Sequence, residues 1–437
     1  MSRADPPDPD PTVARRPLLA RREFRALLIG RSINALAISA LVTVVAFQVY
    51  DITRDPLALG WLGLVEAIPA LSLVLFGGHV ADRRDRRTVV LVTGSAVTLC
   101  SVLLAIVAAN SAWTSLAAIL AVVFATGVAN GFERPALSGL EAQVIPLDEA
   151  ARGVSWTTGG WQVGSIIGPA AGGLSIAFVG VAATYWLIAL LLAIATAAIL
   201  FIAPKPVPAL VRGESFRTSL LGGLRYVRRT PVLLGSMALD LFAVFFGGAI
   251  ALLPVFASDI LHVGPIGLGL LRTAPSAGAL LVTLVATRRP PGKHAGRSLL
   301  LCVAGFGLSM IVFGLSTSFV LSLAALFVSG LTDGVSVIIR WTILRVLSPE
   351  RLRGRVAAVS WVFVGASNEL GAFESGVAAR LFGPVLTVVG GGVLTLGIVG
   401  LVAVTVPALR RFDLDHATAA GPIVEPEPEP EPSTEVA

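Results

Sequence analysis

The sequence predicts an all-α membrane protein with about twelve transmembrane helices, arranged as two six-helix bundles related by a parallel repeat. Hydrophobic residues make up 55% of the 437 residues, charged residues only 14%, and the mean hydropathy is +0.84. One soluble core could not use so much apolar surface. Apolar runs of about 20 residues, the length that crosses a bilayer as a helix, recur from Phe24 to Arg410. No stretch alternates apolar and polar residues as the strands of a membrane barrel do.

The apolar runs divide the chain into two halves with short ends. In chain order the predicted spans are 24–50, 57–80, 88–109, 113–134, 154–179, 182–203, 232–257, 265–287, 298–316, 319–345, 356–381 and 384–408. They form an N-terminal bundle over 24–203 and a C-terminal bundle over 232–410, joined by the connection 204–231. We expect residues 1–23 and the acidic tail 411–437 to be disordered, because neither end has apolar residues to bury. The first end also lacks the apolar core of a signal peptide.

Basic residues lie mainly on one side of the predicted membrane. At the connections and the adjoining span ends on the side of the two termini we count 27 of the 33 Lys and Arg residues, whereas the other side has only Arg54 and Arg380. The positive-inside rule therefore predicts a multi-pass protein of the plasma membrane with both termini in the cytoplasm. A face this basic also attracts the headgroups of anionic lipids.

The connection between the halves has a helical pattern of its own. In ESFRTSLLGGLRYVRRTP, the apolar residues Phe216, Leu220, Leu224 and Val227 recur at helical spacing and arginines flank them. This pattern predicts an amphipathic helix that lies on the membrane surface. We interpret it as a tether between the halves, with a regulatory role as the alternative.

The two halves are related in sequence at a constant offset of 203 residues. The corresponding residues are Gly127, Gly131, Pro146 and Arg152 in the first half and Gly330, Gly334, Pro349 and Arg355 in the second. Because each half has an even number of spans, the repeat is parallel, as in many secondary transporters.

No cofactor is predicted. Cys100 and Cys302 lie inside spans and suggest packing rather than disulfides. The four histidines have no metal-ligand spacing, and no GxxxxGK[ST] loop is present to bind a nucleotide. Nothing points to nucleic acid or to an enzyme, so the expected partners are a small-molecule substrate, protons and the lipid bilayer, with the protein acting as a monomer.

A charged loop after the second span carries a family resemblance. In GHVADRRDRR, a glycine is followed four residues later by an aspartate and then by arginines; these are Gly78, Asp82, Arg83, Arg86 and Arg87. This loop and the two-half plan resemble the major facilitator superfamily. Asp85 stands where many members have glycine, a departure shared by the macrolide-efflux and enterobactin-exporter group. The resemblance implies that Asp82 approaches the start of span eleven near Val356 and helps to control the conformation, whereas the arginines need only their charge.

A glycine pattern in span five bears on the direction of transport. The sequence GSIIGPAAGG fits the GxxxGPxxGG pattern of the superfamily's antiporters through Gly164, Gly168, Pro169, Gly172 and Gly173. Small residues at this spacing let helices approach closely, and the proline permits a bend. The alternative is ordinary glycine packing. By resemblance, the pattern implies an exporter.

Charged residues inside the spans are candidates for proton coupling, because each is costly in hydrocarbon. The principal candidates are Asp240 and Asp333, followed by Glu66 and Glu369; Arg31, Arg272, Arg340 and Glu374 are the other charged residues considered. The alternative is a static ion pair of Asp240 with Arg272, or of Asp333 with Arg340. Span four offers Asn130, with Glu133 and Arg134 expected near its inner end.

Spans one, four, seven and ten line the cavity in the resembled fold and suggest the substrate. Their aromatic candidates are Phe47, Phe132, Phe242, Phe245, Phe246 and Trp341. These side chains suit a bulky amphipathic compound, although each could instead face lipid or the core. The predicted function is therefore secondary active transport, as proton-coupled efflux of a hydrophobic or amphipathic antibiotic, drug or siderophore by alternating access. The alternatives are a nutrient uptake permease and a membrane sensor or scaffold that does not transport.

Overall fold

The computed structural model describes residues 17–206, 216–286, 288 and 294–414, and helices make up nearly all of them. Of the two ends predicted to be disordered, residues 1–16 and the acidic tail beyond Leu414 lie outside the described residues. The prediction was wrong for the end of the first segment, because Leu18–Ala20 form a 3₁₀ turn and Leu18 is only 2% exposed. Among these described residues, ten helices are long and apolar enough to cross a membrane, or eleven if a bent pair counts as one span.

The helices follow the predicted spans closely. Their bounds are α1 Arg22–Thr53, α2 Pro56–Arg83, α3 Arg86–Ala109, α4 Leu116–Val144, α5 Ala150–Ile199, α6 Phe216–Arg229, α7 Pro231–Phe246, α8 Leu253–Val255, α9 Gly264–Ala286, α10 Ala295–Leu315, α11 Phe319–Leu347, α12 Glu350–Phe382, α13 Pro384–Thr405 and α14 Pro407–Arg410.

Helix α5 contains two membrane crossings. Its 50 residues are interrupted at Gly180, which has φ 79° and ψ 172°. This left-handed conformation favours glycine because other residues would be strained there, and it separates predicted spans five and six. With α5 counted twice and 231–260 counted as one broken crossing, the described chain crosses about twelve times, as predicted.

The seventh crossing is not one continuous helix, in contrast to the prediction of a single span over 232–257. Helix α7 ends at Phe246, a 3₁₀ turn covers Gly248–Ile250, and a π-helical segment covers Phe256–Ile260. Two adjacent glycines, Gly247 and Gly248, weaken the helix, and Pro254 has no N–H to donate.

Helix α4 is longer than predicted. The span was expected to end at Arg134, but the helix continues through Pro135 to Val144. Glu133 and Arg134 therefore lie well inside the helix rather than near its inner end.

Several contacts define one face of the protein. In the first half, Arg21 contacts Glu149 at 2.5 Å, Lys205 contacts Glu23 at 2.6 Å, and Arg87 donates to the carbonyl of Leu200 at 3.2 Å. These contacts gather the start of α1 and both ends of α5 on one side. We call this side, where α13 also ends, the basic face, and the other side the opposite face.

The connecting helix α6 packs on the second bundle, a contact that the sequence did not predict. Residues 222–229 meet α7 at 103°. Val227 is only 1% exposed in a core with α7, α10, α11 and α12, and the hydroxyl of Tyr226 donates to the carbonyl of Leu347 at 2.5 Å. Arg225, Arg228 and Arg229 are exposed. The apolar side chains of Leu224 and Val227 therefore pack against the second bundle.

The buried apolar residues form three cores. A shared core towards the opposite face contains residues of both halves, such as Val44 and Ile188 with Phe256 and Phe313. Towards the basic face each half has its own core, which we call the first-bundle core, with Leu27 and Leu140, and the second-bundle core, with Leu299 and Val356. The two bundles are thus packed together at one end and separate at the other.

Corresponding glycines of the two halves make corresponding contacts. Gly127 of α4 packs against the backbone of α2 at Glu66, and Gly330 of α11 packs against the backbone of α9 at Pro275. In both places an added Cβ would overlap a carbonyl oxygen. Both glycines are therefore needed for close helix packing.

Candidate functional site

A cavity of about 1080 Å³ lies between the two bundles. Residues of both halves line it, from α1 to α5 on one side and from α7, the turn that follows it, and α9 to α12 on the other. Its charged lining comprises Arg31, Glu66, Glu133, Arg134, Glu141, Asp240, Arg272, Asp333 and Glu369. Six carboxylates and three guanidinium groups therefore share the cavity with apolar walls.

Tight packing closes the cavity at the opposite face. Helix α2 crosses α12 where Gly60 meets the backbone of Phe373, and the rings of Trp61 and Phe373 are 5.0 Å apart. Helix α5 crosses α9 where Gly173 packs against Pro265 and Gly269. Since each bundle has its own core towards the basic face, the cavity opens in that direction.

Polar contacts also join the bundles at the opposite face. Asp259, in the π-helical segment, accepts a hydrogen bond from Tyr50 and pairs with Arg54 at 3.4 Å. Arg380 of the second half pairs with Asp55 of the first at 2.9 Å. Each half thus contributes one cation and one anion, and the contacts stabilise the closed opposite face.

The glycine pattern of α5 lies on two surfaces of that helix. An added Cβ would lie 2.5 Å from the carbonyl oxygen of Ser32 at Gly164, 2.5 Å from that of Leu36 at Gly168, and 3.2 Å from that of Ala40 at Gly172. These three glycines pack α5 against α1 within the first bundle. Gly173 and Pro169 instead face α9 of the second bundle. The pattern therefore serves both bundle packing and closure of the opposite face.

The principal acidic candidates meet around one arginine. Arg340 of α11 contacts Asp240 of α7 directly and lies 3.6 Å from Asp333 of its own helix. The side chain of Asp240 is 9% exposed, whereas that of Asp333 is 47% exposed. The ion pair of Asp333 with Arg340 is therefore present, but the partner of Asp240 is Arg340 rather than Arg272.

The other two acidic candidates, one from each half, lie where α2 meets α12. Glu66 accepts a hydrogen bond from Asn130 at 3.3 Å, and Glu369 packs 3.0 Å from the position that a Cβ would take on Gly63. Glu66 interacts electrostatically with Arg134 and Arg272, and Glu369 interacts with Glu66. The structure thus brings the four candidate acids to one cavity in two separate groups.

One charged residue of the cavity was missed. Glu141 forms an ion pair with Arg31 of α1 and lines the cavity. The predicted fourth span ended at Arg134, so Glu141 lay outside it and was not considered as a partner of Arg31. The signal was available, because Glu133, Leu137 and Glu141 follow at intervals of four and predict one continuing helical face.

The aromatic candidates are mostly placed elsewhere in this conformation. Trp341 lines a second cavity of about 260 Å³, next to Asp240 and Arg340. Phe47 packs on the shared core and Phe132 on the first-bundle core. Phe242 is 41% exposed and stacks on Phe246, which meets Phe245 edge to face. The aromatic residues that line the larger cavity are Trp161 and Phe306, which the prediction missed because it considered spans one, four, seven and ten only.

The charged loop is held by specific hydrogen bonds. Arg86 donates to the carbonyls of Gly139 at 3.0 Å and Ala81 at 3.3 Å, and Arg87 donates to that of Leu200. Asp85 caps α3 by accepting from the N–H of Arg87 at 3.2 Å. Arg86 and Arg87 therefore use the geometry of the guanidinium group as well as its charge.

The remaining loop residues lie at the surface of the basic face. Arg83 is exposed, and Gly78 has open space where a Cβ would be. The side chain of Asp82 is 61% exposed and pairs with Arg86 at 3.3 Å. Val356 is buried in the second-bundle core. The ion pair that the structure gives for Asp82 is therefore with Arg86 of its own loop, and its expected approach to the start of α12 stays a prediction.

Comparisons with known proteins agree with this architecture. The sequence profile of the Major Facilitator Superfamily matches residues 27–372. The enterobactin exporter EntS of Escherichia coli O1:K1 / APEC is 26% identical over 396 residues, covering 89% of this chain and 93% of that protein. Among solved structures, a bacterial homologue of the human lysosomal transporter Spinster, inward-facing and unoccupied, has a TM-score of 0.68 at 14% identity, covering 91% and 97% of the two chains. The nucleoside transporter NupG has a TM-score of 0.67 at 16% identity, covering 90% and 100%. The chain therefore belongs to the Major Facilitator Superfamily and is a transporter of that type.

Proposed function

We propose that this transporter exports a hydrophobic or amphipathic small molecule, such as an antibiotic, a drug or a siderophore, in exchange for protons. The observation that carries the proposal is the charged cavity of about 1080 Å³ between the bundles, closed at the opposite face and opening towards the basic face. The positive-inside rule assigns the basic face to the cytoplasm of the cell. In this conformation the cavity would load its cargo from the cytoplasm.

The lining supports an amphipathic cargo. Val42, Val45, Leu62, Trp161 and Phe306 give the cavity apolar walls, and the carboxylates lie between them. Apolar walls with a few convergent polar groups are typical of small-molecule sites. The similarity to an enterobactin exporter over 89% of the chain also supports export rather than uptake.

Proton coupling is assigned to the carboxylates of the cavity, first to the pair Asp240 and Asp333, of which at least one binds the proton, and then to Glu66 and Glu369. A carboxyl group in a cavity that opens alternately to the two sides can take up a proton on one side and release it on the other. Burial and a neighbouring like charge both favour the protonated form of a carboxyl group. Export against a gradient then follows from proton movement down its own gradient.

Flux measurements in inside-out vesicles test this proposal. Enterobactin, a macrolide antibiotic and ethidium are offered at the former cytoplasmic face, with and without an imposed proton gradient, and vesicles without the protein serve as the control. We expect at least one probe to accumulate inside, and its accumulation to collapse when the proton gradient is dissipated. Gradient-driven movement in the reverse direction would indicate an uptake permease, and the absence of flux across a wider compound panel would favour a sensor or scaffold.

The charged loop gives a prediction about the conformational cycle. We expect Asp82→Asn to slow transport about threefold to tenfold and Asp82→Glu to restore most of it. The physical reason is that a carboxylate docked at the N-terminal end of α12 would stabilise the state closed at the basic face, since the N–H groups of a helix start favour an anion. Transport rates, membrane abundance and substrate binding are measured together. Wild-type transport by Asp82→Asn would contradict the assignment, whereas lost abundance would indicate a folding role.

A further inference from the structure

A cluster of three charged residues lies in the second bundle, between α7 and α11. Arg340 contacts Asp240, which is 9% exposed, and lies 3.6 Å from Asp333, which is 47% exposed. Both carboxylates line the larger cavity, and all three residues line the smaller one beside it. The two aspartates are therefore held by one guanidinium group but in different environments.

The charges in this cluster do not balance. One guanidinium faces two carboxylates, so the cluster has a net charge of −1 when both aspartates are ionised. A net charge in a largely buried site is unfavourable. One bound proton makes the cluster neutral, and the proton belongs on the carboxylate that has the weaker ion pair and reaches the cavity water. Asp333 meets both conditions, whereas Asp240 is in direct contact with Arg340.

We propose that Asp333 is the group that binds and releases the transported proton, that Asp240 is a permanent structural partner of Arg340, and that Arg340 positions Asp333. This inference rests on the proposed proton-coupled function. On uptake, a proton from cavity water forms one O–H bond at the Asp333 carboxylate and the charge of the cluster changes from −1 to 0; on release that bond breaks and the proton returns to water on the other side. Once protonated, the Asp333 carboxyl group is neutral and its ion pair with Arg340 is lost. Substrate and proton can therefore occupy the same cavity in turn.

The other groups that face the site are consistent with this division. Helix α12 contributes Asn368, which is neutral, and Glu369 further along the larger cavity. Helix α9 contributes Arg272, which interacts electrostatically with Glu66, and α10 contributes Cys302. Within the described chain, the ion pairs of Asp240 and Asp333 within 4 Å are both with Arg340.

Two matched substitutions separate the roles. Asp333→Asn leaves the neutral pair of Asp240 with Arg340, so we expect thermal stability at or above that of the wild type. Substrate-driven proton flux should fall at least tenfold, while downhill substrate movement remains.

Asp240→Asn removes the direct partner of Arg340, so we expect lower thermal stability, with the number of protons moved per substrate unchanged in the protein that survives. Glu374→Gln is the control, because Glu374 lies on α12 but lines neither cavity.

Proton flux and substrate flux are recorded together in proteoliposomes, using the probe that the wild type transports and a pH-sensitive dye, over a range of pH. Asp333→Asn should flatten the pH profile of exchange, and Asp333→Glu should keep a pH-dependent profile. Normal coupling in Asp333→Asn would overturn the assignment, as would an uncoupled but stable Asp240→Asn. A wild-type protein that moves the probe without protons would instead overturn the proposed function, so the two failures are distinguishable.

Discussion

Gly173→Ala is expected to lower transport about tenfold or more without unfolding the protein. Gly173 lies where α5 crosses α9, and an added Cβ would overlap the carbonyl oxygen of Pro265 and lie 3.1 Å from the Cα of Gly269. Overpacking of this kind costs about 1–3 kcal/mol. Because α5 and α9 belong to different bundles, they can relieve the overlap by separating. We therefore expect the conformational equilibrium to move away from the state closed at the opposite face.

The native cysteines provide the measurement. Cys302 lines the cavity, whereas Cys100 is buried in the first half. A membrane-impermeant maleimide should label Cys302 from the basic face in the wild type, and labelling from that face should fall in Gly173→Ala while labelling from the opposite face rises. Gly159→Ala is the matched control, since Gly159 lies on the same helix with open space around an added Cβ. Unchanged accessibility and transport in Gly173→Ala would contradict the role of this crossing.

Gly330→Ala is expected to destabilise the protein in every conformation. Gly330 of α11 lies against the backbone of α9, and an added Cβ would overlap the carbonyl oxygen of Pro275 and approach its Cα at 2.6 Å. Both helices belong to the second bundle, so movement of the bundles cannot relieve the overlap. We expect a loss of about 1–3 kcal/mol of stability, and Gly127→Ala should have a similar effect through the corresponding contact in the first half.

Size-exclusion chromatography after stepwise heating checks this prediction through the melting temperature and the yield of monodisperse protein. Gly400→Ala is the control, because an added Cβ meets no neighbouring atom there. A melting temperature for Gly330→Ala equal to that of the control would show that α9 and α11 can adjust their spacing. Reduced stability with normal cavity labelling would distinguish this substitution from Gly173→Ala.

The membrane spans were predictable because their signal is local. About 20 apolar residues in a row suffice to cross a bilayer, whatever the rest of the chain does. Span eight was predicted over 265–287, and α9 covers Gly264–Ala286. The predicted end of the fourth span was wrong, because the charged residues beyond it are stabilised by residues of other helices. Helix α4 continues to Val144 because Glu133 and Glu141 face a cavity rather than lipid, and Arg31 pairs with Glu141.

Part of the candidate site was also readable from the sequence. Asp240, Asp333, Glu66 and Glu369 stand out because a carboxylate is rare and costly in an apolar span. Their partners could not be read in the same way. The sequence suggested Arg272 as the partner of Asp240, whereas the structure pairs Asp240 with Arg340, because the pairing depends on how α7, α9 and α11 are rotated and packed. The aromatic candidates were misplaced for the same reason, because membership of a cavity-lining helix does not say which face of the helix a ring occupies.

Local patterns in the sequence are enough to predict that this protein is helical, crosses the membrane about twelve times in two related halves, and has a strongly basic side. These properties follow from the length of the apolar runs, the spacing of the glycines and the unequal distribution of basic residues. Each can be read from short stretches of the chain, or by counting residues along it, without knowing how the helices pack. Packing between distant helices sets the remaining features: which face is closed, the position of Gly173 between the bundles while Gly164 packs within its own, and the position of Arg340 between Asp240 and Asp333. Those features depend on the distances between helices far apart in sequence, which the close packing of all the side chains sets together.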